Sequence, residues 1–351
     1  MSFYSGLTTT ALKTPMTQTN TRRNALQLGL KAAGTLAAVS AFPGLLASAQ
    51  AQSAWPTKPI RLIVPFAPGG SSEIVARSAA GELGKTLGQS VFVDNKPGAA
   101  GNIAMQECAT STDGHTLILG HIGTFAVNPF IFDKLPFDTN RDFRPISLLA
   151  KVPSLYVVNS DVPAKNLKEF IALAKAKPGQ LNYGSAGNGS AGHLAFEYLK
   201  MVSDIFVLHV PYRGTGPQLT DLLAGRLDAA SVGAPAILSH IKSGKLRCIA
   251  TGTKERLPQL PDVPTVAESG YPGFEMTQWY GLNAPASMPQ AAIDKIAEAC
   301  GKAMRNPLAT ERLRGDTAQP VGDTPAQYAA FIRSEQARWK QVVARAKIRA
   351  E

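Results

Sequence analysis

The sequence predicts an α/β protein of two lobes joined by a hinge, for three reasons. Short apolar, β-branched runs alternate with helical patterns along the chain, which is typical of parallel sheets covered by helices. The form Val-Pro-aromatic ends a predicted strand twice, at Val64-Pro65-Phe66 and at Val210-Pro211-Tyr212, each time before glycines and a helix. The chain is also expected to cross between its halves twice, near Pro153 and over residues 273–282. We therefore expect two similar lobes that face each other across a cleft.

The first strand-turn-helix unit spans residues 60–89. Its strand is the β-branched run at residues 60–64, and Pro68-Gly69-Gly70 breaks it. The helix that follows has an apolar residue at every fourth position from Val75 to Leu87 and ends at Gly88. A helix that begins after a glycine turn directs free backbone N–H groups at its N-terminus, so this unit predicts a site for an anion.

The remaining elements follow from the same periodicities. In the first half, strands are predicted at residues 90–94, 116–120 and 146–150, with a helix at 102–110. In the second half, strands are predicted at residues 155–158, 182–183, 205–210, 228–232 and 246–251. Helices are predicted there at residues 166–177, 219–224 and 235–242, and from the end of the glycine loop at Gly192 to about Met201. The C-terminal part is predicted to be helical over residues 290–305, 307–313 and 325–346.

The charge balance favours an anionic ligand over nucleic acid. The 351-residue chain carries a formal net charge of +11, of which four charges lie in its first fifty residues and +7 in the rest. A basic surface attracts anions, but no Lys/Arg cluster is interleaved with aromatic residues, so we expect no nucleic-acid partner. The 44% of hydrophobic residues is ordinary for a globular protein long enough for two cores.

Residues 1–51 have the pattern of an export signal. Arg22-Arg23 precede a mostly apolar segment at residues 28–46 and then the small residues 47–51. Cleavage near Ser53 would leave an exported protein. The alternative is that the segment stays uncleaved as a membrane anchor. The export route is either the twin-arginine pathway or general secretion. We expect lobe 1 to comprise residues 55–153 plus 282–351, and lobe 2 to comprise residues 154–281.

Motifs for catalysis and for metal binding are missing from the sequence. The pattern GxSxG is incomplete around Ser190 because Asn188 occupies its first glycine position, and no partners for a nucleophile are assignable. The five histidines lack HExxH spacing, so no metal and no cofactor are expected. The three cysteines lack CxxC spacing and are expected to be buried thiols, although an exported protein permits a disulfide.

Three loops at strand ends combine glycines with hydroxyl side chains. The hydroxyls belong to Ser71, Ser72, Ser185, Ser190 and Thr215. Glycine N–H groups and such hydroxyls suit a carboxylate that is bound without a buried counter-charge. The alternative is that these residues only cap helices and form turns. Because three loops on two lobes share the pattern, we favour a binding cleft, which His121 at a strand end is also expected to face.

Several ordered motifs resemble one family closely. They include PIRLIVPFAPGGSSEIVAR, DNKPGAAGNIA, NYGSAGNGSAGHLA and VPYRGTGPQLTDLLAGRLDA. They are similar to the periplasmic receptors of tripartite tricarboxylate transporters, also called Bug receptors, over essentially the whole chain after the export signal. The resemblance implies a periplasmic-binding-protein (Venus flytrap) fold, a monomer in the periplasm of a Gram-negative bacterium, a small organic acid as ligand and membrane transporter subunits as partners. It implies no enzymatic activity.

The resemblance also implies which residues bind the ligand. They lie in the first-lobe loop, in the second-lobe loop and after the Val-Pro-Tyr strand: Phe66, Ala67, Pro68, Gly69, Gly70, Ser71, Ser72, Glu73, Tyr183, Ser185, Ala186, Gly187, Asn188, Ser190 and Thr215. Glu73 stands where relatives usually have Asp. His121 departs from the family pattern, and as an imidazolium it would pair with a second carboxylate.

Two further functions and the ligand itself stay open at this stage. A receptor of this kind can signal to a sensor protein instead of feeding a transporter. A hydrolase on the same scaffold would need a nucleophile–base pair in the cleft. Dicarboxylates, tricarboxylates, amino acids and aromatic acids all suit these loops.

Overall fold

The computed structural model describes residues 55–350, so the predicted export signal lies outside the described residues. The strands are β1 (Ile60–Val64), β2 (Val91–Asn95), β3 (Thr116–His121), β4 (Phe143–Asn159), β5 (Asn182–Ser185), β6 (Leu208–Pro211), β7 (Ala229–Gly233), β8 (Leu246–Thr251), β9 (Thr277–Pro285) and β10 (Gln319–Pro320). The α-helices are α1 (Ser71–Leu87), α2 (Asn102–Ala109), α3 (Asn128–Ile131), α4 (Leu167–Ala176), α5 (Ala191–Ser203), α6 (Thr215–Leu223), α7 (Ala234–Lys242), α8 (Gln290–Arg305), α9 (Pro307–Gly315) and α10 (Pro325–Ala346).

Two small parallel sheets are joined by a pair of antiparallel strands. In the first lobe β1 lies between β2 and β3 and is parallel to both. In the second lobe β5 lies between β6 and β7, again parallel to both. The order β2-β1-β3-β9-β4-β7-β5-β6 connects them, and β8 and β10 pair with β4. This arrangement confirms the predicted α/β fold of two lobes.

Strand β4 belongs to both lobes. It pairs with β9 from Phe143 to Pro153 and with β7 from Ser154 to Val158. The sequence predicted two runs separated by Pro153, whereas the structure has one strand of 17 residues. Proline removes one ladder donor, and it lies at the point where β4 changes partners. The β4–β9 pair therefore forms the crossing between the lobes, at the place predicted for the hinge.

Alternating residues of β4 supply two separate cores. Tyr156 and Val158 point into the larger core. Leu155 and Val157 point to the opposite face of the sheet, into a core with Leu222. Successive side chains of a strand face opposite sides, so one strand anchors both layers of helices on the second lobe. This double burial explains why residues 155–158 of β4 form a continuous apolar run.

The first strand-turn-helix unit forms as predicted. Four of the five side chains of β1 are fully buried, and α1 ends at Gly88, whose φ of 72° is in the left-handed region. Glycine adopts that conformation without the steric cost of a Cβ atom. The structure adds a π-helix at Ile122–Val127 that the sequence did not predict. It begins directly after β3 and lies beside the cleft.

The cysteine prediction is confirmed, since all three cysteines are buried free thiols. Burial raises the pKa of Cys248 and of Cys300 to about 12, so neither is a reactive thiolate. Within residues 55–350, none of the helices combines the length and the apolar character that a membrane span requires.

Candidate functional site

A cavity lies between the two lobes at the carboxyl ends of their parallel strands. The first lobe and the crossing strand contribute Phe66, Ser71, Ser72, His121, Gln278 and Tyr280. The second lobe contributes Ala186, Ser190, Ala191, Gly192, Thr215, Gln218, Ser231, Val232 and Gly233. The volume of the cavity is about 30 Å³. The two lobes therefore leave little free space between them in this structure.

Four helices begin at the cavity wall. Helices α1, α5, α6 and α7 contribute residues of their first turn or their N-cap to the lining, among them Ser72, Gly192 and Thr215. The first N–H groups of a helix have no partner within the helix, and the helix dipole adds partial positive charge there. Four such termini make the cavity electropositive without a cationic side chain.

Three of these four helices begin without a side-chain cap. The residues before α1, α6 and α7 are Gly70, Gly214 and Gly233, which have no side chain to accept a hydrogen bond. Away from the cavity, Asn166 caps α4 and Thr324 caps α10 through their side-chain oxygens. The N–H groups at the cavity therefore remain available to a ligand, whereas those of α4 and α10 are capped internally.

The lining residues that the structure describes include no Asp, Glu, Lys or Arg. Neutral polar groups take their place. Gln218 donates from Nε2 to the carbonyl oxygen of Gly184 at 3.0 Å, and Gln278 accepts from the hydroxyl of Tyr280 at 2.8 Å. The hydroxyl of Ser231 is buried without a hydrogen-bond partner among the described residues. A buried hydroxyl without a partner is costly, so Ser231 is a candidate contact for the ligand.

The lobes touch each other along a seam beside the cavity. Ser71 Oγ donates to the carbonyl oxygen of Gly233 at 3.1 Å, and Ala67 N donates to the carbonyl oxygen of Arg213 at 3.2 Å. Glycines allow this approach, since a Cβ atom on Gly216 would overlap the carbonyl oxygen of Pro68. A Cβ atom on Gly123 would likewise overlap the carbonyl oxygen of Gly189.

The first-lobe loop is held by residues that do not line the cavity. Glu73 accepts from Gly69 N at 2.8 Å with one carboxylate oxygen and pairs with Arg77 at 2.7 Å with the other. Glu73 therefore fixes the turn of Ala67, Pro68, Gly69 and Gly70. Of the predicted residues in this loop, the cavity wall contains Phe66, Ser71 and Ser72.

The second-lobe loop is organised by two stacked histidines. His193 and His209 have ring centroids 4.4 Å apart. His193 Nδ1 accepts from Gly189 N at 3.1 Å, and His209 Nε2 lies 2.7 Å from Ser185 Oγ. Ser185 Oγ in turn accepts from Gly187 N at 3.1 Å. These hydrogen bonds fix the conformation of the loop on the side that faces away from the cavity.

The predicted residues of this loop divide into two groups. Ala186 and Ser190 line the cavity, whereas Gly187 and Asn188 form the turn between them. Tyr183 is fully buried, and its hydroxyl bonds to Glu197 at 2.6 Å. Ser185 has a base beside it but is fully buried and is not part of the cavity wall. A substrate in the cavity therefore does not reach the hydroxyl of Ser185.

His121 lies in the cavity wall as a neutral donor. Its Nδ1 accepts from Gly123 N at 2.9 Å, so the ring proton is on Nε2. Burial lowers the pKa of His121 to about 3. Complete burial disfavours the imidazolium form of His121 when no ligand carboxylate is beside it. The side chain stacks edge-on against Phe66 with centroids 4.9 Å apart and offers one N–H to a ligand.

We expect acid to weaken the fold through its buried imidazoles. Burial lowers the pKa of His121 and of His209 to about 3 and that of His193 to about 4. Above the pKa of about 6.5 that histidine has in the unfolded chain, these rings do not lower the free energy of unfolding. Below that pH the unfolded chain binds protons that the folded protein does not, so the free energy of unfolding falls progressively. For His121 the loss is about 1.4 kcal/mol per pH unit. Urea unfolding at about pH 7.5 and about pH 5 should therefore show a smaller loss of unfolding free energy for His121→Gln than for the natural protein.

The matched control for this measurement is His240→Gln at the end of α7. Between the two pH values, this variant should lose as much unfolding free energy as the natural protein does. An unchanged pH dependence in His121→Gln would contradict a neutral, buried His121.

Sequence reasoning missed several lining residues. Gln278 and Tyr280 alternate along β9, so the period of two in an extended segment would have placed both on one face. Gly233 precedes Ala234 and Pro235, which is typical of a helix start. No sequence pattern identifies Gln218 and Ser231 as lining residues, because their place in the cavity wall depends on how the two lobes meet. In the part of the chain that is described, no group of three His, Cys, Asp or Glu residues could hold a metal ion.

Comparisons with known proteins identify the family of the chain. The family model described as "Tripartite tricarboxylate transporter family receptor" matches residues 75–348. BugT of Bordetella pertussis is 35% identical over 305 residues, covering 86% of this chain and 93% of its own. Rpa4515 of R. palustris, solved with adipate, has a TM-score of 0.81 at 34% identity and covers 84% of this chain and 99% of its own.

A further structure supports the same relationship. MatC of Rhodopseudomonas palustris, solved with bound malate, has a TM-score of 0.79 at 34% identity and covers 82% of this chain and 100% of its own. The resemblance found in the sequence is thus confirmed, as is the periplasmic-binding-protein fold. Members of the family are periplasmic solute receptors and not enzymes. The chain belongs to the receptor family of tripartite tricarboxylate transporters.

Proposed function

We propose that this protein binds a small organic carboxylate in the cavity between its lobes. The observation that carries the proposal is the convergence of four helix N-termini, three of them uncapped, on a cavity without charged side chains. A cavity of this kind favours an anion over a cation or a neutral molecule. Adipate and malate in the related structures support a dicarboxylate as the ligand class.

Each carboxylate would be bound by backbone N–H groups and hydroxyls. We expect one carboxylate at the N-terminus of α1, near Ser72, and contacts from α5 and α6 near Ser190 and Thr215. Neutral donors at Ser231 and His121 Nε2 would serve the other end of the ligand. The hydrogen bonds strengthen when closure excludes water, because the local dielectric constant falls.

The role of Ala67, Pro68, Gly69, Gly70, Glu73, Tyr183, Ser185, Gly187 and Asn188 in this proposal is indirect. They hold the two loops that present the lining residues. We further propose the lobe boundaries predicted from the sequence, residues 55–153 plus 282–351 and residues 154–281.

A thermal-shift panel tests the ligand class. The protein without residues 1–51 is screened with malate, adipate, citrate, benzoate, glutamate and the diamide of adipic acid. A ligand at about 100 times its dissociation constant adds about 2.7 kcal/mol to the free energy of unfolding, a shift of several degrees in the melting temperature. We expect a dicarboxylate to give this shift and adipamide to give none. A shift from adipamide equal to that from adipate would overturn an anion site.

Delivery to membrane subunits of a tripartite transporter is the role we propose for the loaded receptor. Export to the periplasm of a Gram-negative bacterium and action as a monomer are parts of this proposal, supported by the family membership. Uptake of the radiolabelled ligand by cells with and without this gene tests it. Normal uptake in the deletion strain, together with loss of a transcriptional response to the ligand, would favour the signalling function instead.

A further inference from the structure

A second cavity lies on the reverse face of the hinge. Of the β9 residues, Tyr280 lines the ligand cleft, whereas Thr277 and Trp279 line this second space, which we call the hinge cavity. Gln278 lies in the wall of both. The volume of the hinge cavity is about 370 Å³, much larger than that of the cleft. It is therefore large enough for a small organic molecule.

The hinge cavity has walls from both lobes. Lys254 and Leu257 follow β8 in the second lobe, whereas Phe331 and Arg338 lie on α10. The crossing strands lie between the cleft and the hinge cavity. If the lobes rotate about these strands so that the cleft narrows, the hinge cavity on the opposite face widens. The size of the hinge cavity therefore depends on the relative position of the lobes. A molecule that fits the cavity at its present size stabilises the present, closed arrangement of the lobes.

Lys151 is the cation of the hinge-cavity wall that forms no ion pair with a described residue. Lys254 pairs with Glu275 at 3.4 Å, and Arg338 pairs with Glu335 at 3.5 Å. Glu335 also accepts hydrogen bonds from two tryptophan indoles, which satisfies its carboxylate. Lys151 has no carboxylate of the described residues within 4 Å, and its Nζ lies 5.1 Å from the Phe331 ring centroid. Its charge also acts on the carboxyl group of Asp323, which is outside the cavity wall. An ammonium group without an ion pair favours an anionic occupant.

A hydroxyl in the wall of the hinge cavity is also without a partner. Thr317 Oγ1 is buried and makes no hydrogen bond to any described residue. The residue has a φ of 67°, in the left-handed region that is unfavourable for a β-branched side chain. Strained backbone and unpaired buried hydroxyls persist where the surroundings hold them, and both are frequent at ligand sites.

We propose that the hinge cavity binds an organic anion with an apolar body, and that its occupation promotes closure of the ligand cleft. The rings of Trp279 and Phe331 with Leu257 would bury the body, while Lys151 would pair with the anionic group. The coupling between two binding sites is reciprocal. The anion therefore raises the affinity for the cleft ligand by the same factor by which the cleft ligand raises the affinity for the anion. This coupling rests on the proposed function of the cleft, whereas the binding of the anion does not.

Calorimetric titration with benzoate tests the site directly. We expect saturable binding of benzoate and at least about tenfold weaker binding of neutral benzamide. Lys151→Met should weaken benzoate binding by a similar factor, and Lys254→Met, at an exposed residue that does not threaten folding, should weaken it less. Lys245→Met removes an exposed charge outside both cavities and should leave benzoate binding unchanged.

The cleft variant Ser72→Asp separates this site from the cleft. Benzoate should bind that variant as it binds the natural protein. Binding that is lost in Ser72→Asp but kept in Lys151→Met would place benzoate in the cleft and overturn the site, as would the absence of saturable binding. For the coupling, saturating benzoate should tighten the binding of the cleft dicarboxylate by at least about fivefold. Unchanged or weaker dicarboxylate binding would overturn the coupling but leave the proposed function of the cleft intact.

Discussion

Replacing Gly216 by Ala should weaken ligand binding by at least about tenfold while leaving the fold as stable or more stable. The new Cβ atom would overlap the carbonyl oxygen of Pro68 on the opposite lobe, and a backbone atom cannot move aside as a flexible side chain can. The lobes must then separate, so the fraction of molecules in the closed state falls and the apparent affinity falls with it. Within its own lobe Ala is tolerated, because Gly216 lies in the first turn of α6 without a positive φ.

Calorimetric titration together with thermal unfolding measures both effects. The control is Gly81→Ala, since Gly81 is exposed in the middle of α1 and a Cβ atom there would meet no neighbouring atom within 4 Å. That variant should gain up to about 1 kcal/mol of stability from helix propensity and bind the ligand normally. If Gly216→Ala bound the ligand as tightly as Gly81→Ala does, closure along this seam would not be needed for binding.

Ser72→Asp should lower the affinity for a carboxylate ligand by about 10²- to 10³-fold. Ser72 lies in the first turn of α1 and in the cavity wall, so the new carboxylate would occupy the position proposed for the ligand. Two like charges placed together in a binding site cost several kcal/mol. Ser72 is buried, so the new carboxylate loses hydration, and its interaction with the helix dipole offsets part of that cost. Thermal unfolding of the variant without ligand checks that the fold is retained.

The neutral variant Ser72→Asn is the matched control for this charge. It is close to Asp in size, so a steric effect would appear in both variants. We expect the affinity of Ser72→Asn for the ligand to fall much less than that of Ser72→Asp. Equal losses in calorimetric titrations would show that volume, and not charge, decides binding at this position.

Much of the fold could be predicted from the sequence because its signals are local. The apolar run of β1, the glycine turn and the four-residue spacing of α1 each depend on a few neighbouring residues. The single strand β4 could not be predicted, since a proline in an apolar run usually ends a strand. Pro153 is tolerated there because β4 changes partners at that residue, a fact of tertiary pairing.

The candidate site was predicted in part for the same reason. Glycine loops and hydroxyls before helices identified Ser71, Ser72, Ser190 and Thr215, all of which lie in the cavity wall. The charge state of His121 could not be predicted, because it depends on burial between elements distant in sequence. The part played by Glu73 depends on its hydrogen bond to Gly69 N and its ion pair with Arg77, which a motif does not reveal.

The place of β9 in the first-lobe sheet has a consequence for the order of folding. Ile118 of β3 pairs with Asn283 of β9, although the whole second lobe lies between them in the sequence. Closing so long a loop costs conformational entropy before any contact repays it, and pairings of this kind slow folding. The second-lobe strands β5 to β8, by contrast, are near one another in the chain. During synthesis β3 therefore has an unpaired edge until residues 277–285 are made, and an open edge can pair with another chain.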